Sequence, residues 1–315
     1  MANTLVTVYD DTLEDIADAI RGKNGSSDTY KPSEMPAAIA AIPSGGGVGV
    51  TREVSQTGVY QIPTQSATFA TPNNATSLGN YVLYRAFYNS TGLTSADLSS
   101  ITSITEAYAI REAFYGCTGL TSVDLSSLTT LGDTVLTDAF RGCTGLTSVS
   151  FDSLAVVDHS SSFLTAFYDC SGLETVDLSH LVTVSGGYAF NQAFYRCTHL
   201  TSINLSSLTT VSGTQSMTAF VQTCTGLESV TFPSLSTISG SKAFFDAFRS
   251  CSSLKTVSFP ALANLGANNN QFNYMLRYCS NVTVHFPAAI QSTIGSWSDV
   301  TNGFGGTNTT VLFDL

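Results

Sequence analysis

Apolar positions return along this chain in two alternating spacings. At Val123 and Leu125 they are separated by one polar residue, the period-two pattern of a half-buried strand, with Asp124 pointing away from the covered face. In the preceding stretch Ile110, Phe114 and Cys117, like Phe190, Phe194 and Cys197 later, lie four and three residues apart, the spacing of one helical face. Each unit is therefore predicted to hold a short strand, reached through L-x-x-V-x-L, and one or two helical turns packed against it.

The unit recurs. AFYGCTGLTSVDLSSL from Ala113 returns as AFRGCTGLTSVSFDSL from Ala139, AFYDCSGLETVDLSHL from Ala166, AFYRCTHLTSINLSSL from Ala193 and AFRSCSSLKTVSFPAL from Ala247. The seven cysteines, at 117, 143, 170, 197, 224, 251 and 279, are separated by 26, 27, 27, 27, 27 and 28 residues. A period in the twenties belongs to one small unit stacked on copies of itself, each covering a face that its neighbour could not bury alone. AFVQTCTGLESVTFPSL reads as carrying one extra residue before Cys224, and YMLRYCSNVTVHF as losing one after Cys279. In AFYNSTGLTSADLSSI, from Ala86, Ser90 takes the cysteine position, and TFATPNNATSL around Phe69 reads as a degenerate cap. The predicted fold class is an α/β repeat, a solenoid of parallel strands and short helices.

These repeats resemble leucine-rich repeats of the BspA-like type, whose core is AF-x-x-C-x-x-L-x-x-V-x-L, over residues 51 to 287. The resemblance implies a curved stack with parallel strands on one face, used as an interaction surface rather than for chemistry.

The two ends differ from the repeat. In residues 1–43 a strand, LVTVY, precedes a helical pattern with Leu13, Ile16, Ala17 and Ile20 on one face, and a second helix is predicted from near Pro32 with Met35, Ile39 and Ile42. So small a segment makes a poor core alone and is predicted to dock on something else. Residues 44–50 read as a Gly-rich linker, 51–286 as the solenoid and 287–315 as a C-terminal cap, with a helix from Pro287 and a last strand, TTVLFDL. LEDIADAIRGKNGSSDTYKPSEMPAAIAAI resembles a helical segment of tail-associated and other structural proteins of bacteriophages and prophages, and HFPAAIQSTIGSWSDVTNGFGGTNTTVLFDL resembles the closing segment of phage-encoded leucine-rich repeat proteins. These resemblances imply a virion protein attached to other virion proteins through its N-terminal segment, with homo-oligomerisation one way to complete that segment.

Composition narrows the partners. Only 11% of residues are charged and 43% are hydrophobic, enough for a continuous core. With 23 acidic and 12 basic residues the net charge is −11, and no Lys/Arg cluster in the sequence is suited to neutralising phosphates, so nucleic acid and membrane insertion are not expected. No signal peptide is read at the N-terminus, which fits synthesis in a host cytoplasm and a virion location. Seven cysteines cannot all pair within one chain, and a column of identical small residues has a packing explanation, so buried free thiols are expected. The histidines at 159, 180, 199 and 285 occupy different places in different units, without an evident catalytic partner, and no metal, cofactor or enzymatic motif is recognised.

Two surface columns are the candidate binding residues. The outward strand position reads Asp97, Asp124, Ser150, Asp177, Asn204, Thr231 and Ser258, a polar stripe suited to hydrogen bonding with a bacterial surface glycan or protein; a solvated sheet face accounts for the same pattern. The position after the repeated phenylalanine reads Tyr88, Tyr115, Arg141, Tyr168, Tyr195, Val221 and Arg249, residue types favoured at contacts, although they also cover apolar faces without a partner. Together these readings predict a non-enzymatic, tail-associated virion protein that binds a host surface through its solenoid. A bacterial cell-surface adhesin and an intracellular interaction scaffold are the alternatives.

Overall fold

The computed structural model describes residues 67–70, 76–79 and 81–315, apart from 107, 268–269, 296, 298–299 and 301. The strand and helices expected in residues 1–43, and the linker at 44–50, lie outside the described residues.

Parallel strands stack into two columns. The longer strands are Ala67–Ala70, Leu93–Asp97, Ser122–Asp124, Ser148–Ser150, Thr175–Asp177, Ser202–Asn204, Ser229–Thr231, Thr256–Ser258, Thr283–Phe286 and Thr310–Phe313. Each coil then turns into a two-residue strand such as Thr130–Leu131, Thr183–Val184 or Thr210–Val211. Paired residues are one repeat apart, as in Ser95 beside Ser122 and Thr256 beside Thr283. The register persists because a one-residue slip would exchange Val176 and Leu178, both buried, with polar Asp177. Serine and threonine reinforce the stack: Thr121, Thr201 and Thr209 each donate a hydroxyl hydrogen bond to a carbonyl of the preceding coil at 3.0–3.2 Å. The high hydroxyl content is therefore structural in part.

The outer side of each coil departs from the predicted helical turns. Residues 81–89, 108–116, 134–142, 161–169, 188–196, 215–223, 242–250 and 270–278 run as consecutive turns and bends in which left-handed residues recur at every fourth position, as at Tyr188, Gln192 and Arg196 with φ of 54°, 54° and 60°. Donors alternate in direction. The Ala113 and Tyr115 N–H groups donate back to Ile110 and Glu112, whereas those of Phe114 and Gly116 donate across to Ala139 and Arg141 of the next coil, at 2.8 and 2.7 Å. An α-helix would keep these bonds within itself. The ribbon instead directs half of them along the solenoid, a third ladder that offsets the roughly 1–2 kcal/mol cost of each left-handed L-residue. A four-residue turn also spaces buried residues by four and three, which is why the sequence pattern imitates a helix.

Inside the coils Phe87, Phe114, Phe140, Phe167 and Phe194 stack face to face, with centroids 5.1–5.3 Å apart. Beside them the seven cysteines are buried and free. Each thiol donates to a carbonyl of the preceding coil, as Cys143 does to Phe114 at 3.1 Å and Cys170 to Phe140 at 3.1 Å. The column is thus a hydrogen-bonded ladder as well as a packing device, and the fully buried Ser90 occupies it without altering the chain path. Burial pushes the Cys117 thiol up to about 12 and Cys279 up to about 11, and raises Cys143, Cys170, Cys197 and Cys251 as well. A thiol-titrating disulfide reagent should find no fast-reacting thiol in the native protein and seven after denaturation; rapid native labelling of most of them would contradict a buried ladder.

The ladder also corrects the alignment of one unit. Cys251 donates to the carbonyl of Val221, not Phe220, so Val221 takes the place that Phe194 holds in the coil before. Phe220 lies edge-on to Phe194, at 5.5 Å and 85°. Val221 is fully buried and leaves the outer column, where Gln222 replaces it.

Past the last cysteine the chain makes a 3-10 turn at Ala288–Ile290, a helix at Gln291–Ile294 and a final strand, Thr310–Phe313, in parallel register with Thr283–Phe286. The final strand therefore continues the parallel stack, and Phe313 packs on Phe286 at 5.9 Å.

Candidate functional site

On the strand face Asp97, Asp124, Asp177 and Asn204 sit one per coil, at the last residue of their strands. Each accepts the backbone N–H two residues on, from Ser99, Ser126, Ser179 and Ser206, at 2.8–3.2 Å. These are Asx turns, which close the strand and start the bend after it. One side-chain oxygen of each residue is accordingly part of the scaffold.

The strand ladder is interrupted twice among the described residues, between Ser122–Asp124 and Ser148–Ser150 and between Ser202–Asn204 and Ser229–Thr231. The N–H groups of Leu98, Phe151, Leu178, Phe232 and Phe259 donate to the next coil at 2.9–3.1 Å; no such bond forms at Leu125 or Leu205. The first interruption also breaks the column of two-residue strands, between Thr130–Leu131 and Val156–Val157. It coincides with the shortest interval between cysteines, 26 residues from Cys117 to Cys143. A shallow depression overlies each gap: one of about 610 Å³ lined by Asp97, Asp124, Ser150 and Asp152, and one of about 290 Å³ lined by Asn204, Ser206, Thr231 and Pro233. In hydrogen exchange the Leu125 and Leu205 amides should lose protection faster than those of Leu98 and Leu178, and equal protection would contradict the gaps.

The ribbon face is different in chemistry. All ten tyrosines of residues 81–315 lie in the outer segments: Tyr81, Tyr84, Tyr88, Tyr108, Tyr115, Tyr168, Tyr188, Tyr195, Tyr274 and Tyr278. Of the eight Lys and Arg in the same span seven are there too, at 85, 111, 141, 196, 242, 249 and 277, with Lys255 the exception. This concentration was not evident from the sequence, because a helical reading distributes the same residues around a cylinder, whereas the ribbon turns them to one side.

The four predicted tyrosines form two stacked pairs, Tyr88 on Tyr115 at 4.7 Å and Tyr168 on Tyr195 at 4.5 Å. Arg141 lies between the pairs, its guanidinium 5.7 Å from the Tyr115 ring and 4.2 Å from the Tyr168 ring. The result is a five-rung ladder from Tyr88 to Tyr195, held by ring stacking and cation–π attraction. Tyr81 and Tyr108 stack beside it at 5.0 Å. Arg85 pairs with Glu112 at 2.7 Å and Arg141 with Asp138 at 3.1 Å, and in both pairs the carboxylate is the more buried partner, so solvent meets the guanidinium first. Burial, followed by the neighbouring tyrosine, raises the Tyr88 and Tyr168 phenols above their ordinary value.

The histidines serve local contacts: His285 pairs with Asp314 at 3.0 Å, His159 lies 3.5 Å from Asp133, and His199 meets the Ser171 carbonyl at 2.6 Å. No three His, Cys, Asp or Glu side chains among the described residues are placed to hold a metal ion. No described helix is long and apolar enough to cross a membrane.

Parallel strands, a phenylalanine stack and a cysteine ladder at one repeat per coil define a leucine-rich-repeat solenoid. The chain belongs to the BspA type leucine-rich repeat family, whose model matches over spans 63–137, 84–193, 110–247 and 191–298. No curated protein matches it. Among solved structures it is similar to a leucine rich cell surface protein from Faecalibacterium prausnitzii A2-165, with 15% identity, a TM-score of 0.23 and coverage of 78% of this chain and 79% of that one. It is also similar to an internalin from Listeria monocytogenes, with 14% identity, a TM-score of 0.20 and coverage of 74% and 72%.

Proposed function

We propose that this chain is a non-enzymatic recognition protein that binds a bacterial cell surface through its solenoid. The observation that carries this reading is the sorting of surface chemistry on a repeated scaffold, with tyrosine and arginine on the ribbon face and serine, threonine and aspartate on the strand face. Tyrosine and arginine combine contact area with directed hydrogen bonds, and a stack of coils multiplies each contact along one axis. Its setting is a virion, with residues 1–43 joining it to other tail-associated proteins. The support for that setting is the resemblance of residues 13–42 and 285–315 to phage structural proteins.

Immunogold labelling of intact particles, with antibody raised against residues 51–315, tests the setting. Gold at the tail is the expected result. Clean particles from a strain that makes the protein would overturn it.

A further inference from the structure

A cationic, aromatic patch closes the ribbon face at its C-terminal end. We infer that this patch, built by Lys242, Arg249, Tyr274, Arg277 and Tyr278, is the docking surface for the acidic segment at residues 10–18 of the same chain. The inference goes beyond the surface-binding role proposed above, and attachment through residues 1–43 would compete with this contact.

Charge singles the patch out. Between residues 81 and 241 the outer segments, with the bends that lead into them, carry four cations, at 85, 111, 141 and 196, against six acids, at 106, 112, 133, 138, 158 and 169. The last two ribbon coils, 242–250 and 270–278, reverse that balance, with Lys242, Arg249 and Arg277 against Asp246. Asp246 is buried and pairs with Arg249 at 3.3 Å. Arg277 makes no ion pair among the described residues; its guanidinium lies 5.5 and 5.0 Å from the Tyr274 and Tyr278 rings and donates to the Tyr278 hydroxyl at 3.2 Å.

Exposure singles it out as well. Tyr274 and Tyr278, 50% and 62% exposed, are the most open aromatic side chains among the described residues. Tyr88 and Tyr168 each stack on a tyrosine of the next coil, whereas the coil after Tyr278 brings Gly305 and Gly306 alongside, because the Leu276 N–H donates to the Phe304 carbonyl. Open rings backed by guanidinium groups suit carboxylates flanked by apolar side chains.

The chain supplies such a segment. YDDTLEDIAD, residues 9–18, holds five acids and no base, beside the expected helical face of Leu13, Ile16 and Ala17. Acids four apart on a helix, as at Asp11 and Asp15, are about 6 Å apart along its axis. Arg249 and Arg277 stand in adjacent coils, each two residues before its cysteine, and those coils are 5.3 Å apart at the Phe259–Phe286 stack. Residues 19–66 can span about 160 Å when extended. The patch is eight coil steps, about 40 Å, from the first strand. Tethering raises the local concentration of the segment far above that of a free ligand, which offsets the net charge of −11.

Spin labels on cysteines introduced by Thr7→Cys and Ser280→Cys test the contact in the full chain, because the seven native thiols are buried. Dipolar spectroscopy should give a narrow distance of about 25 Å or less, since a helix from residue 7 to 18 is only about 17 Å long. Dilution with unlabelled protein should leave it unchanged, and about 1 M salt should replace it by a broad distribution at longer distances. Lys242→Glu with Arg277→Glu, neither of which breaks an ion pair among the described residues, should release the segment in the same way. Converting Asp11, Glu14, Asp15 and Asp18 to lysine should also release it, and combining both sets should restore the short distance. Lys255→Glu on the strand face should have no effect. A broad distribution in the unaltered pair, a short distance that survives salt or the Lys242/Arg277 exchange, failure of the combined exchange to restore it, or loss on dilution, which would mean docking on a second copy, would each overturn the inference.

Discussion

Replacing Phe140 by alanine should lower the free energy of unfolding by about 3–5 kcal/mol, the largest single-residue effect expected in this protein. The ring is fully buried and stacks on Phe114 and Phe167, both 5.1 Å away, so its removal opens a cavity shared by three coils. Coils in a solenoid meet only their neighbours, and the void therefore weakens two interfaces at once. Chemical denaturation of wild type and variant, monitored by circular dichroism, gives the difference. A loss below about 1 kcal/mol would mean that the stack can close over the gap.

Gly213→Ala should be the next most damaging exchange, at about 1–3 kcal/mol. Gly186, Gly213 and Gly240 lie over one another where the coils bend out of the two-residue strands, and a Cβ at Gly213 would fall on the Gly186 carbonyl oxygen. The obstacle is backbone in a ladder, which cannot swing aside as a flexible side chain would. Gly187→Ala is the control, because the nearest atoms to its added methyl are 3.8 Å away, and its effect should stay within about 0.5 kcal/mol. Equal melting temperatures for the two variants would contradict the close approach at Gly213.

The stacking of the chain was legible in the cysteine spacing, and the strand register in Val-x-Leu, because both are set by a side-chain period that folding does not alter. The conformation of the outer segments was not. Ile110, Phe114 and Cys117 satisfy a helix and a four-residue turn ribbon equally, and the choice between them lies in where the Phe114 and Gly116 N–H groups go, to the next coil. No composition signal marks that choice, since the left-handed positions hold Tyr188, Gln192 and Arg196 rather than a run of glycines. The same ambiguity displaced Val221. The text Ala219-Phe220 matches the repeat, yet the backbone keeps its step, with left-handed residues at 215, 219 and 223 as at 188, 192 and 196, so Phe220 falls at the Ala193 position and Val221 at that of Phe194.

Of the candidate site, the tyrosines at 88, 115, 168 and 195 and Arg141 were visible as a column, and the structure brings them into one ladder. The role of Asp97, Asp124, Asp177 and Asn204 in closing their own turns was not visible, because an Asx turn and a binding carboxylate use the same residue types. Nor was the collection of Tyr81, Tyr84, Tyr108 and Tyr188 on the same side, which depends on the ribbon rather than on any one repeat.

The most direct test of a recognition role for the ribbon face is the binding of fluorescently labelled full-length protein to bacterial cells, measured for wild type and for one variant on each face. Saturable binding that is weakened when Tyr88, Tyr115, Tyr168 and Tyr195 are together replaced by phenylalanine, and retained in the triple Asp97→Asn, Asp124→Asn, Asp177→Asn variant, is the predicted result. Binding lost in the aspartate variant and kept in the tyrosine variant, with both proteins folded, would place recognition on the strand face and contradict the account.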